Sequence, residues 1–416
     1  MEFEQTVDYV IIGGGSAGCV LAARLSEDPK TSVVLLEAGG EDNHPLIHVP
    51  AGYVKTMVNP AVNWMFEAEP EAGTANRALT MPRGKVLGGS SAINAMLYVR
   101  GQPADYDGWS QRGNHGWSYD DVLPFFRKAE NCEFVTTKTT TRGSGGPLNV
   151  ANVRNTYFAL DKVIEAAQSC GYPNNADYNS GDQDGFGYYQ VTQKNGLRFS
   201  AKKAYLQPAR SRKNLRVITK AHVTGVIFAD PDAQDKRVIG VRFTSEASNR
   251  QIRTHRSVIL SAGAFQSPQI LELSGVGKAE HLRALGVRVM ANIQGVGENL
   301  ADHYISRLSW RLNEEISINR TAHGVRLLRE IIRFGLTRRG SLSLPAGILA
   351  GFVRSREGLV GPDIQYHIAN ASFANPAKRV FDKFPGMTFG PCQLRPESRG
   401  NVHIESADPF AAPTIR

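Results

Sequence analysis

The sequence predicts a mixed α/β fold, in which a doubly wound domain is joined to a second domain built on an antiparallel sheet with helices. Two observations carry this prediction. A strand, a glycine-rich turn, a helix and a second strand follow one another before Gly40. Further along, several β segments fall between Leu215 and Ser261, and alternating apolar and polar residues after Tyr304 indicate more strands.

The first strand and turn are the most informative part of the chain. Residues 7–12 are mostly apolar, as expected of a parallel strand that is covered on both faces. The turn Gly-x-Gly-x-x-Gly at 13–18 opens a helix over 17–25, and a second apolar strand within 31–40 carries Glu37 at its tip. This order and spacing are typical of a dinucleotide-binding βαβ unit.

Each part of this unit has a task in binding a pyrophosphate. Gly13 permits the tight turn, Gly15 lets the backbone approach the phosphates, and Gly18 lets the helix pack close to the strand. The helix N-terminus attracts phosphate through its free N–H groups and its partial positive charge. We expect the Ser16 hydroxyl to face the phosphates, and Glu37 can accept hydrogen bonds from a ribose. The candidate residues of this unit are Gly13, Gly15, Ser16, Ala17, Gly18, Glu37 and Ala38.

The same turn fits a second interpretation. Residues 14–18, Gly-Gly-Ser-Ala-Gly, match the G-x-S-x-G elbow of serine hydrolases. That elbow needs an oxyanion-hole N–H group from a loop after an earlier strand, and only about a dozen residues precede this turn. Asp302 and His303 could complete a triad, but the context favours dinucleotide binding over the hydrolase and over a purely structural glycine turn.

Composition and charge exclude several classes of protein. The chain of 416 residues is 41% hydrophobic and 21% charged, as in globular proteins, and its net charge of +9 suits nucleic acid, a membrane surface or an anionic cofactor. No basic run interleaved with aromatic residues occurs, so we expect no nucleic-acid partner. The four cysteines are far apart, which predicts neither a metal site nor a disulfide framework. Without a signal sequence or a long apolar run, a cytoplasmic location is expected.

A second glycine-rich segment narrows the function. Residues 83–91, Arg-Gly-Lys-Val-Leu-Gly-Gly-Ser-Ser, followed by Asn-Ala-Met at 94–96, resemble the first signature of the glucose–methanol–choline (GMC) family of FAD oxidoreductases. Residues 263–277 resemble the second signature, and residues 296–303 resemble a third characteristic stretch. The resemblance covers residues 8–416 and implies a Rossmann-like FAD-binding domain together with a substrate domain.

The resemblance implies FAD as the cofactor and adds contacts to it. In the family, the backbone corresponding to 94–97 lies along the pyrophosphate and flavin, and that of Val223 meets the adenine. Ala262 and Gly263 match the strand end beside the adenosine. Some relatives carry a flavin-linked histidine where this sequence has Asn94, so we expect non-covalent FAD. The residues added in this way are Val86, Gly88, Ser90, Asn94, Ala95, Met96, Leu97, Val223, Ala262 and Gly263.

The resemblance also implies the domain boundaries. The FAD-binding domain would comprise 1–150 and 196–304, and the substrate domain 151–195 and 305–416. In the family, the catalytic base is a histidine in an H-P-x-G-T segment, and an asparagine or second histidine follows. None of the ten histidines lies in such a segment. We therefore expect the catalytic residues beyond Arg416, in a chain that is truncated before its closing segment.

The family oxidises alcohols by hydride transfer to flavin, with a base that takes the hydroxyl proton. His303 and His367 are disfavoured as substitute bases. Residues 44–53 and 188–206 resemble bacterial alcohol dehydrogenases that reduce a quinone, and resemble choline dehydrogenase slightly less. We predict oxidation of a primary alcohol, aliphatic or choline-like, with a quinone or other electron acceptor. Two alternatives stay open: an inactive FAD-binding remnant, and a family member with cyanohydrin lyase activity.

A basic amphipathic helix is predicted over residues 325–336. One interpretation is peripheral contact with the inner face of a membrane. The other, which we favour, is that the helix packs its apolar stripe inside the substrate domain. The apolar and basic faces are formed by Leu328, Ile331, Ile332 and Gly335, and by Arg326, Arg329 and Arg333.

Overall fold

The computed structural model describes residues 2–134, 140–234, 236–314, 316–375 and 380–416. Its α-helices are α1 (Ser16–Leu25), α2 (Pro45–His48), α3 (Tyr53–Thr56), α4 (Pro103–Gln111), α5 (Tyr119–Ala129), α6 (Phe158–Ser169), α7 (Gln207–Ala209), α8 (Gly263–Leu273), α9 (Ala279–Ala284) and α10 (Gly324–Thr337). A π-helical stretch, Lys202–Leu206, precedes α7.

The strands are β1 (Thr6–Ile12), β2 (Val33–Leu36), β3 (Phe66–Ala68), β4 (Leu79–Met81), β5 (Glu130–Cys132), β6 (Leu148–Asn152), β7 (Gly185–Tyr188), β8 (Gln190–Val191), β9 (Gln193–Lys194), β10 (Leu197–Arg198), β11 (Leu215–Ile218), β12 (His222–Phe228), β13 (Val238–Ser245), β14 (Ser248–Leu260), β15 (Val276–Gly277), β16 (Ala291–Asn292), β17 (Glu298–Leu300), β18 (Leu308–Arg311), β19 (Leu349–Val353), β20 (Ile364–Ala369), β21 (Phe373–Asn375), β22 (Val380–Phe381), β23 (Gly386–Gln393), β24 (Gly400–His403) and β25 (Thr414–Ile415).

A six-stranded sheet in the order β11-β2-β1-β14-β13-β12 carries the predicted βαβ unit. The first four strands run parallel, whereas β13 and β12 form an antiparallel meander with β14. Ile11 and Leu35 pack towards Cys19 of α1, on one face of the sheet. Ile12 and Leu36 belong to the core cluster on the other face, which includes Ile270 of α8. The doubly wound arrangement predicted from the sequence is therefore confirmed.

A second sheet, in the order β18-β23-β20-β19-β7, has only antiparallel neighbours. One of its faces packs against α6 through Leu160, Phe186 and Ile368, which are buried in a common cluster. The mixed fold with an antiparallel sheet and helices is as the sequence predicts.

The amphipathic helix forms where predicted, but its favoured packing is wrong. Leu328, Ile331 and Ile332 of α10 are 56%, 48% and 54% exposed, so the predicted apolar stripe faces outward. The buried contact is made instead by Phe334, and Glu330 beside it accepts hydrogen bonds from Ser341. The physical reason is that α10 packs against the short 3-10 turns Ile318–Thr321 and Ser341–Ser343, which cover Phe334 and leave the predicted stripe uncovered. In the described part of the chain, no helix is long and apolar enough to cross a membrane.

Candidate functional site

A cleft of about 540 Å³ opens at the carboxyl ends of β1, β2 and β14, where ligands of open α/β sheets bind. Its walls come from the turn after β1, the tip of β2, the start of β12 and the start of α8. It brings together many of the predicted residues, although they are far apart in the sequence. The predicted residues that line it are Gly13, Gly15, Ser16, Ala17, Glu37, Ala38, Ser90, Val223, Ala262 and Gly263.

The three glycines of the first turn differ in what surrounds them. A Cβ on Gly13, whose φ is +97°, would lie 2.6 Å from the carbonyl oxygen of Ser261. A Cβ on Gly18 would lie 1.9 Å from the carbonyl oxygen of Gly13, so α1 packs against the turn only because a side chain is missing there. A Cβ on Gly15 would have its nearest neighbour 3.9 Å away. Gly13 and Gly18 are thus required by the fold, while Gly15 keeps the cleft open.

The N-terminus of α1 points its backbone at the cleft. Its N-cap is Gly15, which offers no side-chain acceptor, and its first turn contains no acidic residue. Ser16 and Ala17 line the cleft directly. The first N–H groups of a helix have no partner within it, and together with the helix dipole they favour an anion. This end of α1 therefore fits a phosphate group.

Glu37 is 5% exposed and lies beside the helix end. The N–H of Gly14 donates to its Oε2 at 2.8 Å, and the N–H of Gly39 donates to its Oε1 at 2.7 Å. Burial raises the pKa of Glu37 to about 7, against the effect of these two hydrogen bonds and of Lys85. Since each carboxylate oxygen can accept a second hydrogen bond, the group fits a pair of ribose hydroxyls at the cleft wall.

The second glycine-rich segment lies against the first. The N–H of Gly88 donates to the carbonyl of Gly14 at 2.8 Å, and a Cβ on Gly89 would lie 2.6 Å from Cα of Gly15. Ser90 follows on the exposed side and lines the cleft. Two signatures that the sequence separates by some seventy residues thus meet at the wall of one cleft.

The remaining predicted residues lie outside the lining of this cleft. Val86 is 1% exposed and packs with the apolar side chains of Ile47 and Val62. Asn94 is exposed, whereas Met96 is fully buried with a φ of +63°, and Leu97 forms a backbone bridge to Val191 of β8. The assignment of these residues to the cofactor stays a prediction. The residues in question are Gly18, Val86, Gly88, Asn94, Ala95, Met96 and Leu97.

Among the side chains of the cleft that sequence reasoning missed are Trp64, Arg83, His222 and Phe265. The Arg83 guanidinium carbon lies 4.2 Å from the centroid of the Phe265 ring. His222 Nε2 lies 2.8 Å from the carbonyl oxygen of Pro409, and burial lowers the pKa of this imidazole. Arg83 and Phe265 fall inside the recognised signatures, and His222 directly precedes Val223, so signature membership was the available signal. Trp64 had none.

The two histidines weighed as bases lie elsewhere. His367 of β20 is half-buried, with Nδ1 2.9 Å from the hydroxyl of Tyr189, and burial lowers its pKa to about 4. His303 is exposed, and its Nε2 lies 3.0 Å from the carbonyl oxygen of Leu394. Neither lines the cleft.

A separate cluster joins β24 to α8. The ligand atoms of Glu272, His281 and His403 lie within 4.8 Å of one another. Both ring nitrogens of His403 lie beside carboxylates, Nδ1 at 2.7 Å from Glu272 and Nε2 at 3.1 Å from Glu298. Glu272 also accepts the N–H of Ile404 at 2.8 Å. These contacts account for the cluster as a hydrogen-bonded attachment of the C-terminal strands.

Comparison with known proteins decides the family. The family described as GMC oxidoreductase matches residues 7–305, which is most of the chain. The chain belongs to the GMC oxidoreductase family. It is thus an oxidoreductase, and the fold and the signatures recognised in the sequence are those of a GMC oxidoreductase.

Relatives extend along nearly the whole of this GMC oxidoreductase. It is 38% identical to the oxygen-dependent choline dehydrogenase of Photobacterium profundum, over 99% of this chain and 71% of the relative. It is 37% identical to the alcohol dehydrogenase [acceptor] of Pseudomonas putida, over 98% of this chain and 73% of the relative.

A solved structure has the same fold. The formate oxidase of Aspergillus oryzae, in a structure that concerns mutation and FAD modification, superposes with a TM-score of 0.89. It covers 100% of this chain and 77% of its own, at 24% identity. GMC oxidoreductases are FAD-dependent, and the open Gly15, the uncapped end of α1 and the buried Glu37 are the features that such a dinucleotide requires.

Proposed function

We propose that this chain binds FAD non-covalently in the cleft and belongs to an enzyme that oxidises a primary alcohol, aliphatic or choline-like, to the aldehyde. The observation that carries the proposal is the convergence of an uncapped helix end, an open glycine and a buried carboxylate on one cleft of about 540 Å³. Asn94, which has no nucleophilic ring nitrogen, supports non-covalent attachment.

Different residues of the cleft would contact different parts of the dinucleotide. The N–H groups of Ser16 and Ala17 would hold the diphosphate, with Ser90 on its other side. Glu37 would accept hydrogen bonds from the ribose hydroxyls, and the backbone of Val223 would lie along the adenine. When bound, FAD would supply the redox chemistry by taking a hydride from the alcohol carbon. The chain's task is to fix the position of the ring relative to the substrate.

The two sheets support a division into two domains. All strands of the six-stranded sheet lie within 1–150 and 196–304, and all strands of the five-stranded sheet lie within 151–195 and 305–416. We propose the first pair of segments as the FAD-binding domain and the second pair as the substrate domain, with the alcohol bound where they meet.

The choice of substrate and acceptor rests on the relatives. One is named a choline dehydrogenase and the other an alcohol dehydrogenase with an acceptor, and both match along almost the whole chain. A primary alcohol as the donor accommodates both names. The choline dehydrogenase is named as oxygen-dependent, so the proposed quinone-type acceptor follows only the alcohol dehydrogenase [acceptor].

The deciding experiment is a titration of purified protein with FAD, followed by anaerobic addition of alcohols. Flavin fluorescence and visible absorbance report binding. Bleaching of the flavin by choline or by an aliphatic primary alcohol, and recovery on adding a quinone, report turnover. A protein that binds no FAD would contradict the proposal. If FAD binds but no alcohol bleaches the flavin, the inactive FAD-binding remnant or the cyanohydrin lyase would replace the alcohol-oxidising enzyme as the proposed function.

We further propose that α10 docks on an anionic membrane surface, where a quinone acceptor would be found. Its outward stripe is apolar, since Val325, Leu328 and Leu336 are all more than half exposed. Arginines flank this stripe, and exposed apolar residues between cations are the signature of a helix lying in a lipid interface. With a net charge of +9, a second copy of the chain is electrostatically disfavoured as the occupant. The flanking arginines are Arg326, Arg329, Arg333, Arg338 and Arg339.

Co-sedimentation with vesicles tests this docking. We expect binding to phosphatidylglycerol-containing vesicles and little to pure phosphatidylcholine, weakened by salt because the arginines are exposed. The double variant Leu328→Asp and Leu336→Asp should abolish binding. The control Val360→Asp replaces a residue that is 86% exposed but lies outside α10, and should bind normally. Equal binding by both variants would contradict the docking.

A further inference from the structure

Arg198 is the largest fully buried side chain of the described residues, with 1% of its surface exposed. All of its recorded hydrogen bonds go to neutral oxygens. Its Nε donates to the carbonyl of Ile47 at 2.8 Å, and one terminal nitrogen donates to the carbonyl of Ser91 at 3.1 Å. The same nitrogen donates to Oδ1 of Asn94 at 2.8 Å, and the other donates to the Asn94 carbonyl at 2.6 Å.

The charge of this guanidinium has no partner of opposite sign among the described residues. Arg100 and Arg142 are buried to a similar degree, but both form ion pairs with Glu130. Burial alone lowers the pKa of Arg198 to about 9, with no opposing contribution from a nearby carboxylate. Buried charges in proteins are ordinarily paired, so an unpaired one beneath a ligand-binding loop calls for an anion that arrives with the ligand.

The hydrogen bonds of Arg198 also settle the orientation of Asn94. Oδ1 of Asn94 accepts from Arg198 and, at 3.0 Å, from the N–H of Met96. Because both donors meet at this oxygen, the amide Nδ2 is left as the outward donor of an exposed side chain. Ser91, the other loop contact of Arg198, follows directly on Ser90, which lines the cleft.

We propose that Arg198 is a positioning residue for FAD: it holds Asn94 with Nδ2 facing the cofactor, and the negative charge of the bound dinucleotide balances the buried guanidinium. This inference rests on the proposed binding of FAD and names how one segment recognises it. The planar guanidinium fixes the geometry of the loop through its hydrogen bonds, and its positive charge attracts the anion.

Four variants separate these contributions, with the FAD dissociation constant and the visible flavin spectrum as readouts. Arg198→Met should weaken FAD binding at least tenfold, and Arg198→Lys, which keeps the charge, should recover part of it. Asn94→Ala should weaken binding severalfold without changing the melting temperature of the apoprotein. In the Arg198→Met background Asn94→Ala should add little, because the amide is no longer held in place.

The matched control is Arg212→Met. Arg212 donates to the carbonyl of Ala23 and, at 2.8 Å, to the hydroxyl of Ser26, at the far end of α1. We expect the Arg212→Met substitution to lower the free energy of unfolding and to leave the FAD affinity unchanged. If Arg198→Met does not fold, Arg198→Lys and Asn94→Ala carry the test. Wild-type affinity in the Arg198 variants, or full additivity with Asn94→Ala, would overturn this inference alone; a wild-type protein without FAD affinity would overturn the proposed function with it.

Discussion

Glu37 combines a structural and a recognition role in a single side chain. Its carboxylate fastens the turn after β1 to the tip of β2 through the N–H groups of Gly14 and Gly39. Both hydrogen bonds strengthen when the group is ionised, yet burial opposes ionisation and raises its pKa to about 7. The fold therefore holds this carboxyl group near the point of ionisation at neutral pH.

This pKa predicts how the stability of the apoprotein depends on pH. The folded-state pKa of about 7 exceeds the usual value of 4.5, so the native state binds the proton more tightly. The stabilisation is complete below about pH 4.5 and is lost as the pH rises to about 7, with a total of about 3 kcal/mol. Urea unfolding of wild type and Glu37→Gln across this range should show a difference that shrinks as the pH rises. Parallel profiles would contradict the assignment.

Two glycine substitutions in the same turn should have opposite consequences. Gly18→Ala forces a Cβ to within 1.9 Å of the Gly13 carbonyl oxygen, and we expect a loss of about 1–3 kcal/mol in the free energy of unfolding. Gly15→Ala meets its nearest atom at 3.9 Å, so it should cost less than about 1 kcal/mol. Because its methyl group points into the cleft, it should weaken FAD binding at least tenfold.

Denaturant unfolding and FAD titration of both variants check this pair. Equal destabilisation by the two substitutions, or unchanged FAD affinity in Gly15→Ala, would show that the turn does not work as described.

At the scale of elements, a buried ionic network joins β5 to the loops around it. Glu130 of β5 is fully buried and pairs with both Arg100 and Arg142. Arg142 also pairs with Asp177. The carboxylate of Glu130 thus ties the loop that follows the second glycine-rich segment to two segments further along the chain.

Removing this carboxylate should be far more costly than removing an exposed one. Glu130→Gln leaves two buried guanidinium groups poorly compensated, and we expect a loss of about 3–5 kcal/mol in the free energy of unfolding. The control Glu41→Gln breaks the ion pair with Arg210, whose side chain is 39% exposed, and should cost less than about 1 kcal/mol. Urea unfolding measures both, and similar losses would contradict the role given to the network.

At the scale of elements, the sequence predicts where a helix or strand forms but not always which of its faces is buried. The βαβ unit was predictable because apolar strands and glycine spacing are local signals. The helix α10 was predictable for the same reason, but its outward stripe was not. Leu328 and Phe334 are both apolar, and which of them is buried depends on the segments that the fold packs against the helix.

For the whole molecule, the cleft depends on contacts between distant segments. Trp64, His222 and Phe265 reach it from three separate parts of the chain. His222 lies there because β12 forms one edge of the sheet that also contains β1 and β2, from the start of the sequence. Long-range pairing of this kind leaves no local pattern. The signatures predicted the glycine-rich part of the cleft, whereas its aromatic lining became evident only from the fold.

Removal of FAD should lower the stability of the whole molecule. FAD that binds only the native state stabilises it by about 2.7 kcal/mol at a concentration of 100 times the dissociation constant. We expect the melting temperature to fall by a few degrees when FAD is stripped and to recover when it is added back. Gly15→Ala should show a smaller recovery at the same FAD concentration. A melting temperature that does not respond to FAD would contradict binding in the cleft.

The position of β14 in the central sheet has a consequence for biosynthesis. β1 ends at Ile12, yet one of its two neighbours in the sheet, β14, ends only at Leu260. At a synthesis rate of about 5–20 residues per second, β1 waits on the ribosome for roughly ten seconds or more. During that time an apolar strand edge stays unpaired, which is a template for aggregation. We therefore expect the nascent chain to depend on a chaperone that covers the edge of β1 until β14 has been made.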